Sequence, residues 1–341
     1  MNKDYNIIIK VTTSCPGKCK CCIHRQQNFK YKNRSNSQFD LKLFDKICKN
    51  LDKLGGKYIC LSGGEPTMVN NLEDYIKVAK NYKLATRINT NGWGITKEKV
   101  EKWLQLGLDQ IVLSVYGTDE EIVTLLRGNR LIFEKSQKAL SVLKEIKKSA
   151  NFIFIIQTII SKYNYKNLPK ILEKTIDVNA DLFWPSYLED AKFLPDIRME
   201  NINIKEFKNK IIPEMMDVVD KKIKSLPHRK KIKETLKQYY AKKYQDYRYH
   251  KRGFKCSLLG RHLTLYPSGV VDPCPGHEYF ASEYQKIINE ANLDEFMSSD
   301  NIDSNSKLAF DYCQYCPQGE HIGINLKGTE FDEHSKKEIL K

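Results

Sequence analysis

The sequence predicts a parallel α/β domain, followed by a basic helical segment and a small cysteine-bearing unit. Three observations carry this. Strand-like and helix-like patterns alternate from residue 5 to residue 186. Several strand-like runs are almost wholly apolar, such as IVLSV at 111–115 and FIFII at 152–156. Strands covered on both faces read this way. After Pro185 the alternation stops and lysine-rich helical periodicity takes over.

The strand candidates are Tyr5–Thr13, Lys57–Leu61, Leu84–Asn89, Gln110–Tyr116, Asn151–Ile160 and Asp181–Pro185. The segments between them have helical apolar faces. One face gathers Phe44, Ile47, Cys48, Leu51 and Leu54; another Leu72, Tyr75, Ile76, Ala79 and Tyr82. A third gathers Ile132, Ser136, Ala139, Leu140, Leu143 and Ile146. Six βα units in succession imply right-handed crossovers and a parallel sheet. Eight such units close a full barrel; six leave an open, partial barrel or a doubly wound sheet.

Residues 203–252 read as two helices broken near Pro227. From Lys221 to Lys255 there are 14 Lys and Arg against two acids, Glu234 and Asp246, and five Tyr interleave the stretch from Tyr239 to Tyr249. Residues 263–271, LTLYPSGVV, place a Pro-Ser-Gly turn between two short strands, a hairpin pattern. The last residues are polar.

The 341 residues, 41% apolar and 29% charged, have the balance of a folded protein. No apolar run approaches the ~18 residues of a spanning helix. The N-terminus, MNKDYNIIIKVTT, lacks the apolar region of a secretory signal, so the expected location is cytoplasmic, with no membrane partner. In that setting ten cysteines point to metal binding or chemistry rather than to disulfides. The net charge of +15 suits an acidic partner, or reflects lysine on ordinary solvated helices.

Cys15, Cys19 and Cys22 are spaced C-x3-C-x2-C in a loop directly after the first strand. Loops at strand C-termini form the active face of parallel α/β domains. Thiolates select zinc or iron–sulfur clusters, and three protein ligands leave one metal position open. Further motifs end the later strands: Ser62-Gly63-Gly64-Glu65-Pro66, then Asn89-Thr90-Asn91-Gly92, then Ser114, with Arg127 in LLRGN beyond it.

Singly these motifs are weak; in this order they resemble the radical S-adenosylmethionine (SAM) superfamily over about residues 5–186. The resemblance implies a partial (β/α)6 TIM-like barrel and a [4Fe–4S] cluster on Cys15, Cys19 and Cys22, with SAM on its fourth iron. The implied chemistry is one-electron cleavage of SAM to a 5′-deoxyadenosyl radical, which abstracts hydrogen from substrate. Gly63 and Gly64 would let the backbone approach the methionine moiety, and Glu65 would meet its ammonium. Asn89 and Ser114 would hydrogen-bond ribose or carboxylate, and Arg127 would pair with the carboxylate. Two positions depart from the pattern. Cys21 stands where relatives have an aromatic residue, which makes it a competing thiol, although the spacing favours Cys22. Tyr116 stands where many relatives have an acid.

Cys256, Cys274, Cys313 and Cys316 form a second set. Cys313 and Cys316 are a chelating pair, and Cys256 and Cys274 flank the hairpin, so four thiols can share one closed site. Structural zinc has this pattern too. The run CSLLGRHLTLYPSGVVDPC resembles the Twitch and SPASM extensions of radical SAM enzymes, and four cysteines fit the single-cluster, Twitch-type version. That resemblance implies an auxiliary [4Fe–4S] cluster with an electron-transfer or structural role.

The expected organisation is a radical SAM core at 1–197, a basic helical segment at 198–255, a Twitch/SPASM-like domain at 256–325 and a polar tail at 326–341. Cys48 and Cys60 read as core. Tyr116 and Glu189, at or beyond strand ends, are candidate catalytic donors of a proton or hydrogen, against a plainer role as pocket wall. The implied partner is an acidic flavodoxin or ferredoxin as electron donor; nucleic acid ranks below it. Peptide-modifying relatives often carry an additional N-terminal domain, and here Cys15 comes early. That inclines the reading toward a small-molecule substrate, sugar-like or another metabolite. Peptide or protein modification is the alternative, and RNA modification or a non-catalytic metal protein ranks lower.

Overall fold

All six strand-like runs form strands, and their order in the sheet decides between the two architectures left open by their number. They are β1 (Asn6–Thr12), β2 (Tyr58–Gly63), β3 (Ala85–Thr90), β4 (Gln110–Ser114), β5 (Ile153–Ile160) and β6 (Leu182–Tyr187). Each pairs in parallel with the next in sequence. A doubly wound sheet must reverse its strand order at a switch point; β1 to β6 never do. The result is the partial (β/α)6 barrel. The computed structural model describes residues 6–22, 38–187, 196–237, 262–272, 286–289, 292–297 and 324–327.

The crossover helices are α1 (Leu41–Lys53), α2 (Leu72–Asn81), α3 (Lys97–Gln105), α4 (Glu120–Arg127), α5 (Leu131–Ile146) and α6 (Leu168–Asp177). Three begin at side-chain caps that satisfy the orphan amides of a first turn: Asp40 caps α1, Thr96 caps α3 and Asp119 caps α4. Their apolar faces are those read from periodicity. Phe44, Ile47 and Leu51, then Tyr75, Ile76 and Ala79, then Ala139, Leu140 and Leu143 are buried in one continuous core. Cys48 and Cys60 are fully buried, as expected of core thiols.

Both edges of the six-stranded arc carry short further strands, which cover part of each edge. The expected hairpin forms as β7 (His262–Leu265) and β8 (Val270–Asp272), turning at Gly269 with φ +79°. It lies against the barrel, because β7 pairs in parallel with β1. At the other edge β10 (Ile324–Asn325) pairs antiparallel with β6, and β9 (Lys286–Ile287) adds to β8.

The basic segment forms two helices that break just before Pro227, as expected. Helix α7 (Asn201–Glu206) runs through a π-helical turn, Phe207–Ile211, into α8 (Ile212–Lys222). The chain leaves the helix at Ile223, and Pro227 then starts α9 (Leu226–Thr235) rather than ending a helix. Proline suits a first turn, where its missing N–H costs nothing, and the Ser225 hydroxyl accepts from His228 N at 3.4 Å to cap it. Helix α8 packs on α6, and Lys222 bridges Glu173 and Asp177 of α6 at 3.1 and 3.0 Å. No helix of the described residues is long and apolar enough to cross a membrane.

Candidate functional site

The C-terminal strand ends collect most of the residues singled out above. The cysteine loop follows β1 and is stitched to the end of α4. Lys18 N donates to Arg127 O at 2.7 Å and Lys20 N to Leu126 O at 2.9 Å. Asn129 Nδ2 donates to Pro16 O at 2.9 Å. Gly17 sits between the thiols: a Cβ there would lie 3.3 Å from Cys19 Sγ and 3.6 Å from Cys15 Sγ. Burial pushes the Cys15 thiol up to about 11.

Gly63 and Gly64 lie against the cysteine loop. A Cβ on Gly63 would stand 2.4 Å from Thr12 O, and one on Gly64 2.1 Å from Ser14 O. Gly63 also has φ +141°, a region open to glycine. Gly64 N donates to Thr12 O at 2.7 Å and Glu65 N to Ser14 O at 2.8 Å. The glycines thus let the β2 loop lie directly on the cysteine loop, backbone against backbone.

Glu65, 1% exposed, is a clip. Its Oε1 accepts from Thr67 N at 3.1 Å and from the hydroxyls of Thr67 and Thr90, each at 2.6 Å. Its Oε2 accepts from Asn91 N at 2.7 Å. Burial raises its pKa, and the four donors oppose that rise. Only Oε2 keeps a lone pair for another donor, so a ligand ammonium would share this carboxylate with the protein.

Asn91, reached through that clip, directs its Nδ2 at Cys15 Sγ, 3.9 Å away, while its Oδ1 accepts from Trp93 N at 2.9 Å. Arg127, 5% exposed, donates from Nη2 to Ser114 O at 2.9 Å and from Nη1 to Cys19 Sγ at 3.7 Å. Its guanidinium lies 3.4 Å from the centre of the Tyr116 ring. The Tyr116 hydroxyl in turn accepts from Cys21 Sγ at 3.6 Å. Tyr116 therefore packs under Arg127 and beside the extra thiol. Burial pushes Cys21 up to about 11.

Asn89 and Ser114 share the concave side of the sheet with Val112, which is opposite Asn89 in register. Asn89 Oδ1 is buried with no hydrogen-bond partner among the described residues. Deeper in the lumen, Arg87 stacks on Tyr58 and Trp184, at 5.1 and 5.8 Å from their ring centres. The sequence signal for it was an arginine two residues before Asn89 in a strand, hence on the same side. Glu189, Cys256, Cys274, Cys313 and Cys316 lie outside the described residues.

With a parallel partial barrel, a three-cysteine loop at its open end and a clip tying that loop's neighbours together, the molecule has the form of a cluster-dependent radical enzyme. Residues 9–175 match the model of the radical SAM superfamily, and this part of the chain is a radical SAM domain. The fold resembles that of Streptococcus suis SuiB bound to the precursor peptide SuiA. The match has 17% identity and TM-score 0.65, and covers 90% of this chain and 67% of that one. It also resembles anSMEcpe with bound AdoMet, at 16% identity and TM-score 0.62 over 92% of this chain and 86% of that one. A further match is anSMEcpe with AdoMet and the Cp18Cys peptide, at 16% identity and TM-score 0.62, covering 95% and 88%. At these identities the likeness carries the fold alone.

The domain carries a SAM-binding [4Fe–4S] cluster, and the residues present fit such a group. No three described His, Cys, Asp or Glu side chains converge on a single metal-ion position. A cubane takes each thiolate at a different iron, so its ligands need not meet at one point, and the Cys15 and Cys19 sulfurs both lie within 3.6 Å of where a Gly17 Cβ would stand. The orphaned Asn89 Oδ1 offers an acceptor to a ligand with hydroxyl groups.

Proposed function

We propose that this chain modifies a peptide or protein substrate by radical SAM chemistry, with Cys15, Cys19 and Cys22 as ligands of the SAM-binding cluster. When bound, the cluster and SAM supply one-electron cleavage and a 5′-deoxyadenosyl radical. The chain's own residues do the rest. The Gly63-Gly64-Glu65 loop and the Glu65 clip fix the cysteine loop, Asn89 and Ser114 offer polar contacts to SAM, and the barrel lumen around Arg87, Tyr58 and Trp184 receives the substrate. Cys256, Cys274, Cys313 and Cys316 hold an auxiliary [4Fe–4S] cluster, and an acidic flavodoxin or ferredoxin supplies the electron. Tyr116, beneath Arg127, is a wall of the site rather than a donor to substrate.

The observation that carries the peptide reading is the likeness to SuiB and anSMEcpe, both with peptide-bound structures, over nine-tenths or more of this chain. It outweighs the inclination toward a sugar-like metabolite, which rested on how early Cys15 comes. The test is anaerobic reconstitution followed by incubation with SAM and dithionite. About eight irons per chain are expected for two clusters, and about four would remove the auxiliary one. Release of 5′-deoxyadenosine, with a mass change in a short peptide encoded beside this gene, supports the reading. Release without any change in such peptides, but with turnover of a sugar substrate, overturns it.

A further inference from the structure

We propose that Asn91 and Arg127 set the reduction potential of the cluster, by directing side-chain N–H groups at the sulfurs of Cys15 and Cys19. The inference rests on the ligand reading above. The reduced cluster carries one more negative charge than the oxidised one. Hydrogen bonds to its sulfurs stabilise that charge and raise the potential. A fixed cation beside a thiolate acts in the same direction, and a low local dielectric strengthens both effects.

The geometry gives each side chain little else to do. Asn91 is 6% exposed. Its backbone N donates to Glu65 Oε2 at 2.7 Å and its Oδ1 accepts from Trp93 N at 2.9 Å. These two anchors fix the amide plane and leave Nδ2 aimed at Cys15 Sγ, 3.9 Å away. Arg127 is held by Ser114 O at 2.9 Å and by the Tyr116 ring at 3.4 Å, which leaves Nη1 on Cys19 Sγ at 3.7 Å. Two separate elements, the loop after β3 and the end of α4, thus each bring one donor to a different thiol. Cys15 has a second donor, Gly17 N at 3.4 Å, which side-chain substitution leaves in place. On this geometry Arg127 reaches the cluster sulfur through Nη1, a role beyond the SAM-carboxylate contact that the sequence resemblance implies.

The experiment is a redox titration of reconstituted protein, followed by electron paramagnetic resonance. The signal followed is the one that shifts when SAM is added in a parallel sample, which separates this cluster from any auxiliary one. At the potential where the parent protein is half reduced, Arg127→Met lowers the ratio of reduced to oxidised cluster about tenfold, equivalent to ~59 mV for one electron. Asn91→Asp keeps the acceptor for Trp93 N and replaces the donor with an acid; it lowers the ratio about threefold. Arg127→Lys keeps the charge without the planar fork and falls between the parent and Arg127→Met. If Arg127→Met fails to hold iron, Asn91→Asp and Arg127→Lys decide. Parental ratios in both, with parental iron content, overturn the proposal while leaving the function intact. A parent protein with no SAM-responsive cluster overturns the functional reading, and this inference falls with it.

Discussion

The two ends of the barrel use charge in opposite ways. At the N-terminal end, Asp109 and Asp181 each precede a strand and perform the same task. Asp109 Oδ2 accepts from Thr86 N at 2.7 Å and from Lys80 Nζ at 2.9 Å. Asp181 Oδ2 accepts from Phe154 N at 2.7 Å and pairs with Lys147 Nζ at 2.8 Å. Each acid meets a backbone amide and a lysine, and the charges close on themselves. At the C-terminal end they do not. Arg127 is buried against thiols, Asn91 reaches a sulfur, and Asn89 Oδ1 is unpartnered among the described residues. The paired end ties neighbouring strands together; at the other end the buried charge and amide face the cysteine loop. This division, with stability at one face and chemistry at the other, is the general one for parallel barrels.

The sharpest way to break the comparison is at Gly64. In Gly64→Ala the new methyl group meets backbone, Ser14 O at 2.1 Å, so the cysteine loop must move. Displacing reacting groups by about 1 Å costs on the order of a hundredfold. The release of 5′-deoxyadenosine with SAM and dithionite should fall by about that factor. Retention within tenfold would show that the β2 loop does not position the cysteine loop. Next is Glu65→Gln. The amide keeps the shape but turns one acceptor oxygen into a donor, facing groups that donate already. An unmet buried donor costs about 1–3 kcal/mol. A lower urea midpoint and about a tenfold loss of SAM cleavage are expected together, because the clip serves both packing and site. A loss of stability alone would move Glu65 to the structural side of the comparison.

What the sequence made legible follows the same division. Helix faces such as Phe44, Ile47 and Leu51 repeat locally, so periodicity reveals them. Apolar strands declare themselves in the same way. The choice between barrel and doubly wound sheet depends on which strands are neighbours, a non-local fact that alternation does not encode. The cysteine loop and the strand-end motifs were visible because their spacing is short. The Glu65 clip was not, because Thr90 and Asn91 lie 25 and 26 residues away and their bonds need the β2 and β3 ends side by side. Arg127 was found, but its contact with Cys19 Sγ was not, because an arginine in sequence announces an anion without saying which one. Pro227 marked the break because proline does not continue a helix, and the cap at Ser225 places it in the first turn of the second helix.

The smallest effects on activity, and the clearest contrast, belong to the closed end. Asp181→Asn retains an acceptor for Phe154 N but removes the partner charge of Lys147, whose side chain is only 10% exposed. Breaking a fully buried pair costs about 3–5 kcal/mol; with part of this one still wet, about 1–2 kcal/mol is expected. Asp109→Asn removes the charge facing Lys80, where the side chains are 27% and 22% exposed. Water screens this pair more, so ~1 kcal/mol or less should follow. Urea unfolding of both variants checks the order, Asp181 before Asp109. SAM cleavage per assembled cluster should stay within about twofold of the parent in each, since neither acid touches the cysteine loop. A loss of cleavage in Asp181→Asn comparable with that in Glu65→Gln would mean that strain at one end of β5 and β6 is felt at the other, and the two faces could no longer be treated as separate.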